Sequence, residues 1–217
     1  FVDFLQNHDQ IGNRALGERL TALTEPERVR TFQAVLLLSP HVPLLFMGEE
    51  WGATTPFQFF CDFHGELADA VRAGRRREFA AFFENPSAEV PDPLAVETFE
   101  RSRLDWSELE REPHAGWLAT TRHLLRLRAE ELVPRLRRGE ARLAGADLTG
   151  THGLLVCWCF GDGSRLALLA NIGADPWTPD GAPAGRLLHA TFAGAETSGG
   201  CPTLPPWSAA FYLAERS

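Results

Sequence analysis

The sequence has little of several features that would place it in a specialised class. Its four cysteines, at positions 61, 157, 159 and 201, are too few and too scattered for a disulfide scaffold in a chain of 217 residues. No apolar run approaches the roughly 20 residues that a membrane helix needs. The start of the chain lacks a charged segment followed by an apolar core and a cleavage site. We therefore expect a cytoplasmic protein without a membrane partner.

Positive charge is also scarce, since 21 Lys and Arg residues stand against 29 Asp and Glu residues and the formal net charge is −8. Nucleic acids favour a clustered basic surface, so this balance argues against a nucleic-acid partner. The basic run Arg75–Arg77 is best explained as a solvated helix face. His152 and His189 have no metal-ligand spacing with the cysteines, and we expect neither a metal site nor a cofactor.

The first 48 residues have the pattern of a strand, a helix and a second strand. Phe1–Gln6 is typical of a buried strand, Leu20–Ser39 has apolar residues at helical spacing, and Val42–Gly48 is a second short apolar run. This order predicts a βαβ unit in a parallel sheet. Because the chain opens inside a strand without an initiator Met, we expect it to be a fragment of a longer protein.

The next part of the chain is aromatic and only weakly periodic. Residues 51–113 predict a long ordered excursion with short helices at about 66–72 and 76–84. Excursions of this length are usually functional. A helix is then expected at about 116–136.

After residue 139 the pattern changes to short alternating strands joined by turns. We expect two domains, an α/β part over residues 1–139 and an antiparallel β domain over 140–217. Cys157 and Cys159 alternate within one strand and are expected to be buried thiols on one face. The expected strands are Ala141–Leu143, Leu154–Phe160, Leu166–Asn171, Leu187–Phe192 and Ala209–Leu213.

Polar residues follow both predicted parallel strands. His8 and Asp9 come directly after the first strand, and Glu49 and Glu50 follow the second. In parallel sheets reactive groups collect at the carboxyl ends of strands, so the two acidic groups would meet at one face. Paired carboxylates are what glycoside cleavage requires. The alternative is that Asp9 caps the following helix or turn and that His8 is a structural histidine.

Two motifs carry a resemblance to a known family. The segment Phe4–Asp9, with its Asn-His-Asp triplet, resembles the fourth conserved region of the α-amylase family, and Pro43–Gly52 resembles that family's segment on the eighth barrel strand. The resemblance implies that the two strands are the seventh and eighth of a TIM (β/α)₈ barrel. It also implies that the antiparallel domain is the one that usually follows the barrel.

Four further segments are similar to the trehalohydrolase branch of this family: Asn13–Leu20, Pro56–Phe63, Ala70–Phe79 and Ser102–Trp106. That resemblance implies a retaining hydrolase that cleaves the α-1,4 bond next to the terminal trehalose of maltooligosyltrehalose and releases trehalose. The expected partners are maltooligosyltrehalose and related α-glucans.

The family match also assigns roles to individual residues. Asp9 matches the carboxylate that stabilises the transition state, and His8 matches a neighbouring sugar-binding residue. By position, Gln10 is a candidate polar contact to substrate, and Trp51 either stacks on a sugar or lies in the core. The expected supporting residues are Asn7 and Glu50.

The family's nucleophile and acid/base lie on earlier barrel strands, and no segment of this sequence carries their motifs. We therefore expect the chain alone to be inactive and to need the N-terminal part of its parent enzyme. Two alternatives stay open. One is a glycogen branching enzyme or another α-amylase relative, and the other is a non-catalytic carbohydrate-binding module.

Overall fold

The computed structural model describes residues 1–80, 90–195 and 200–216. The chain forms two compact units, each assembled from segments that are distant in sequence. The expected division into an α/β domain over residues 1–139 and a β domain over 140–217 stays a prediction. The first unit comprises Phe1–Leu5, Pro26–Leu44 and Ala119–Ser217, and the second comprises Gln6–Glu25 and Leu45–Leu118.

The first unit contains the predicted βαβ arrangement. Strand β1 (Val2–Asp3) runs parallel to strand β2 (Val42–Pro43), with Val2 opposite Val42. Between them lies helix α3 (Pro26–Leu38), whose inward face is buried. The βαβ prediction is confirmed, although both strands are shorter than expected. Leu44 still donates its N–H to the Asp3 carbonyl at 2.8 Å, and beyond it the chain leaves this unit.

The helix predicted within residues 20–39 is confirmed as helix α3, and a separate short helix precedes it. Helix α2 (Leu20–Leu23) ends before α3 begins at Pro26. Proline has no N–H to donate, so it fits the first turn of a helix and not its interior. The carboxyl end of α3 is closed by Arg128, whose Nη1 donates to the carbonyls of Leu37 at 2.9 Å and Ser39 at 2.6 Å.

A long helical segment confirms the helix expected at 116–136. It consists of α6 (His114–Leu127), a π-helical turn (Arg128–Leu132) and α7 (Val133–Arg137). Pro134 lies in the first turn of α7. Its missing N–H and its ring disturb the regular i→i−4 pattern, which accounts for a π turn just before it.

The predicted antiparallel sheet is also confirmed. In the described residues its strands are β3 (Arg142–Thr149), β4 (Gly153–Cys159), β5 (Arg165–Asn171), β6 (Arg186–Ala190) and β7 (Ser208–Ala214). They lie in the order β3-β4-β5-β7-β6, and the pair β5 and β7 is almost entirely buried. Cys157 and Cys159 are partly exposed on β4, so the expectation of buried thiols was wrong.

A hydrophobic cluster covers one face of this sheet. Leu169, Tyr212 and Leu204 are fully or almost fully buried there, and the Trp177 ring packs with them. The Tyr212 hydroxyl donates to the Ala195 carbonyl at 2.7 Å. The segment that follows β5 therefore folds back over the sheet and closes this part of the core.

The second unit consists of helices and turns. Where two helices were expected at 66–72 and 76–84, one helix runs over the whole stretch to residue 79, and residues 81–84 lie outside the described part. None of the helices in the described ranges is long and apolar enough to cross a membrane. The elements are α1 (His8–Gly12), α2, a 3-10 turn (Glu49–Trp51), α4 (Gly65–Phe79), α5 (Val96–Arg101) and a 3-10 turn (Trp106–Glu110).

Gly153 gives a direct test of how the sheet packs. A Cβ at this position would overlap the Trp177 indole, whereas a Cβ at Gly145 would meet nothing within 4 Å. Gly153→Ala should therefore lower the free energy of unfolding by about 1–3 kcal/mol, the usual cost of overpacking a core. Urea unfolding followed by circular dichroism measures the change, and Gly145→Ala is the matched control. Equal stability of the two variants would show that Trp177 does not pack on Gly153.

Candidate functional site

Helix α1 carries the polar residues that follow the first strand, and Asn7 caps it. The Asn7 Oδ1 accepts hydrogen bonds from the backbone N–H of Asp9 at 2.8 Å and of Gln10 at 3.3 Å. In return the Gln10 Oε1 accepts from the Asn7 N–H at 2.9 Å, which completes a capping box. The cap is therefore Asn7 and not Asp9, which removes one structural explanation for the Asp9 carboxylate. Gln10 commits its carbonyl oxygen to the cap.

Asp9 and His8 extend from this helix into solvent. The side chain of Asp9 is 71% exposed and that of His8 is 69% exposed, and His8 Nε2 lies 3.4 Å from Asp9 Oδ1. A carboxylate and an imidazole placed side by side can accept and donate hydrogen bonds to the hydroxyl groups of a neutral ligand. The structure thus brings together the two residues that the triplet motif singles out.

Arg19 fastens the segment after α1 to the segment after β2, and the sequence did not single it out. Its side chain is almost fully buried. The guanidinium donates from Nε to the Thr55 carbonyl at 2.5 Å and from Nη1 to the Met47 carbonyl at 2.9 Å. The next residue, Leu20, donates its N–H to the Oε1 of buried Gln6 at 3.1 Å. Gln6 directly precedes Asn7, so one hydrogen-bonded chain links both strand-end segments.

Glu49 lies in the same buried environment as Arg19. Its Oε2 accepts from the Phe46 N–H at 2.9 Å, and the residue is only 3% exposed. Burial raises the pKa of Glu49 to about 7; the Phe46 hydrogen bond and Arg19 oppose the shift, and Glu50 adds to it. Burial lowers the pKa of the Arg19 guanidinium, and the nearby carboxylates of Glu49, Glu108 and Glu50 oppose that shift. Glu50 therefore contributes charge to this cluster, and its supporting role stays a prediction.

Trp51 is held in place by Glu108, a second residue that the sequence did not single out. The Trp51 indole N–H donates to Glu108 Oε2 at 3.0 Å, and the N–H of Thr54 donates to Oε1 at 3.3 Å. Burial raises the pKa of Glu108, but the hydrogen bonds from Thr54 and Trp51 outweigh it and lower the pKa overall. Trp51 is 4% exposed, whereas Trp106, whose ring centroid is 5.2 Å away, is 65% exposed. Sugar stacking by Trp51 stays a prediction, and Trp106 is the accessible ring of the pair.

The aromatic excursion braces α1 from the other side. Arg75 donates from Nη2 to the Gly12 carbonyl at 3.1 Å, at the end of α1. Its guanidinium lies 4.8 Å from the Phe59 ring centroid and 4.5 Å from that of Phe79. The expectation that Arg75 is solvated was wrong, because it is buried between these rings, while its neighbours at 76 and 77 are exposed.

The site is therefore one exposed pair on a rigid support. Among the described residues, the contacts join Asp9 to the Glu49–Trp51 turn through Gln6 and Arg19 and not directly. A single exposed carboxylate can bind sugar hydroxyls. It cannot by itself supply both the nucleophile and the acid of a retaining glycosidase.

The comparisons with known proteins point to one group of enzymes. The family described as "Domain of unknown function (DUF3459)" matches residues 141–211. The malto-oligosyltrehalose trehalohydrolase of Deinococcus radiodurans is 42% identical over 197 residues, which cover 87% of this chain and 32% of that enzyme. The enzyme of the same name from Arthrobacter ramosus is 52% identical over 130 residues, or 59% of this chain and 22% of that enzyme. The chain thus spans about a third or less of these relatives.

Solved structures support the fold of this chain. A Salmonella typhimurium protein, named provisionally as an alpha amylase, aligns with a TM-score of 0.85 and 45% identity over 99% of this chain and 35% of its own. The trehalulose synthase of Pseudomonas mesoacidophila aligns with a TM-score of 0.57 and 19% identity, over 99% of this chain and 43% of its own, which supports the fold alone.

The pKa of Glu49 predicts how stability changes with pH. Because the pKa is about 7 in the folded chain and near 4.5 ordinarily, folding favours the protonated form. The bound proton adds to the free energy of unfolding in full below pH 4.5, and this stabilisation is lost as the pH rises to about 7. Glu49→Gln, which stays neutral, should gain melting temperature relative to wild type over this range. Melting curves at pH 4.5, 6 and 7.5 measure the difference, with exposed Glu110→Gln as control. A difference that is constant with pH would contradict a raised pKa.

Proposed function

We propose that this chain forms the C-terminal part of a trehalose-releasing glycoside hydrolase. The premise is that it is a relative of the malto-oligosyltrehalose trehalohydrolases of the α-amylase family. The reaction is retaining hydrolysis of the α-1,4-glucosidic bond next to the terminal trehalose of maltooligosyltrehalose. The observation that carries the proposal is the exposed Asp9 and His8 pair directly after β1, on a helix capped by Asn7 and anchored by Arg75. This is where the family motif requires a free carboxylate.

In this proposal Asp9 accepts hydrogen bonds from sugar hydroxyls at the cleavage position. These bonds strengthen as positive charge develops on the sugar ring, so they stabilise the transition state more than the bound substrate. His8 contributes a neighbouring hydrogen bond to the sugar. The Gln10 oxygen already accepts in the cap, so Gln10 offers the sugar its amide NH₂ as a donor. Glu50 and the turn that contains Trp51 support the segment after β2, which is proposed to lie beside the bound substrate.

The nucleophile and the acid/base are proposed to come from the N-terminal part of the enzyme. β1 and β2 are then the seventh and eighth strands of a TIM barrel that this part completes. The 217 residues alone are proposed to be inactive, because one carboxylate cannot perform a double displacement. We further propose that the enzyme acts in the cytoplasm in trehalose biosynthesis.

A glycogen branching enzyme is the alternative, because it shares the Asn-His-Asp triplet. Product analysis separates the two activities. The full-length enzyme should release free trehalose from maltooligosyltrehalose and should form no new α-1,6 branches in amylose. Branches without trehalose would replace this proposal with the alternative.

Asp9→Asn in the full-length enzyme is the most specific test of the site. The substitution keeps the shape but removes the charge, so turnover of maltooligosyltrehalose should fall by about 100-fold or more, the usual cost of losing a group that stabilises developing charge. KM should change much less than kcat. The measurement is trehalose release under saturating substrate.

Asp69→Asn is the matched control, because Asp69 is an exposed helical aspartate that pairs with Arg72 at 3.6 Å. It should leave turnover within about twofold of wild type. The 217-residue chain, assayed in parallel, should release no trehalose. Near-normal turnover of Asp9→Asn would show that Asp9 is not in the reaction.

A further inference from the structure

The edge strand β3 has an amphipathic pattern, and its apolar side is open to solvent. Successive side chains of a strand point to opposite faces of the sheet, and β3 slips by one residue at a bulge between Leu143 and Gly145. Asp147 therefore points to one face, whereas Leu143, Ala146 and Leu148 point to the other. Leu143 is 63% exposed and Leu148 is 64% exposed. A strand with this alternation normally buries its apolar side, so the side that the sequence marks for burial is uncovered.

The open side of β3 continues a face of the sheet that is otherwise buried. This face lies opposite the hydrophobic cluster that contains Leu169 and Tyr212. In order along β3, its three apolar side chains lie across from Trp158, Val156 and Leu154 of β4. Trp158 is buried, and the other two are half-buried. The same rows continue onto β5 and β7, where each of these members is buried: Leu166, Leu168, Ala170, Leu213, Phe211 and Ala209.

Helices cover the other end of this face. Helix α3 packs against β7 and against the π-helical turn that follows α6. The rings of His123 on α6 and His189 on β6 have centroids 5.6 Å apart, and His189 lies across from Phe211 of the buried rows. The helical layer thus lies over β6 and β7. It leaves Leu143 and Leu148 mostly exposed at the opposite edge.

The width of the uncovered strip indicates what fits on it. Neighbouring strands lie about 4.8 Å apart, so β3 and β4 together present a strip about 10 Å wide, which is the diameter of one α-helix. One more helix in the layer of α3 and α6 would therefore cover it. This chain spans about a third of the length of its relatives, so the relatives have further chain from which such a helix can come.

We propose that the strip formed by Leu143, Ala146, Leu148, Leu154 and Val156 is the surface on which the N-terminal part of the full-length enzyme docks against the antiparallel sheet. That part supplies an amphipathic helix, which lays its apolar side on the strip and extends the layer of α3 and α6. The identity of this partner rests on the proposed function, whereas the open apolar strip does not. Apolar burial on both sides then holds the sheet to the part of the enzyme that is proposed to carry the nucleophile.

The experiment compares the accessibility of a cysteine on the strip in the 217-residue chain and in the full-length enzyme. Both proteins carry Leu148→Cys, a pulse of iodoacetamide labels accessible thiols, and tandem mass spectrometry reads the label at position 148. Labelling should be at least about tenfold slower in the full-length enzyme, because a covered thiol is inert. Leu143→Cys repeats the test at the other end of the strip. Circular dichroism confirms that each variant is folded.

Asp147→Cys is the matched control, because Asp147 is exposed and points to the opposite face of the same strand. Its labelling should agree within about twofold between the two proteins. Protection of position 147 equal to that of position 148 would overturn the proposal, because the shielding would then not be specific to the strip.

Two further outcomes would overturn the proposal and leave the proposed function standing, provided that the full-length wild type releases trehalose. One is equal labelling of Leu148→Cys in both proteins, which would mean that the strip stays open. The other is slow labelling in the 217-residue chain that speeds up on dilution, which would mean that a second copy covers the strip. Protection of position 148 in a full-length protein that releases no trehalose would support the docking surface and contradict the proposed reaction.

Discussion

The buried guanidinium of Arg19 is the interaction on which the candidate active site depends. It holds the carbonyls of Met47 and Thr55, on either side of the Glu49–Trp51 turn, and the adjacent Leu20 N–H holds Gln6. Removing one partner from such a buried cluster is strongly destabilising, because it leaves the others without compensation. The cluster therefore fixes the strand-end segments as one piece, and Asp9 is displayed from that piece.

The aromatic excursion has a definite role in this arrangement. The Phe57 N–H donates to the Gly17 carbonyl at 2.9 Å, and Gly17 has a φ of 68°, a left-handed conformation that favours glycine. A Cβ at Gly17 would collide with the Phe57 backbone. Arg75 also donates to the Gly12 carbonyl, so two hydrogen bonds connect the excursion to the segment that follows Asp9. The excursion therefore supports the segment that carries the exposed Asp9 and His8 pair.

The features that the sequence predicted well are those encoded in neighbouring residues. Alternation of apolar residues located the five strands of the sheet, and the Asn-His-Asp triplet located the exposed pair. Arg19, Arg75 and Glu108 were missed because their partners lie 28 to 63 residues away and no local pattern marks such a pair. Arg75 was misassigned for the same reason, since a run of three arginines resembles a solvated face until tertiary contacts bury one of them. Trp51 shows the limit of position alone, because only the fold reveals that Glu108 occupies its N–H.

Hydrogen exchange on the 217-residue chain tests most directly whether Arg19 locks the two strand-end segments together. In Arg19→Gln, the amides of residues 8–13 and 46–55 should exchange faster and by similar factors, because one contact restrains both. Arg103→Gln, which breaks an exposed pair with Glu100 at 2.8 Å, is the control and should leave both segments unchanged. Faster exchange confined to the immediate neighbours of residue 19, with residues 8–13 protected as in the wild type, would contradict the account.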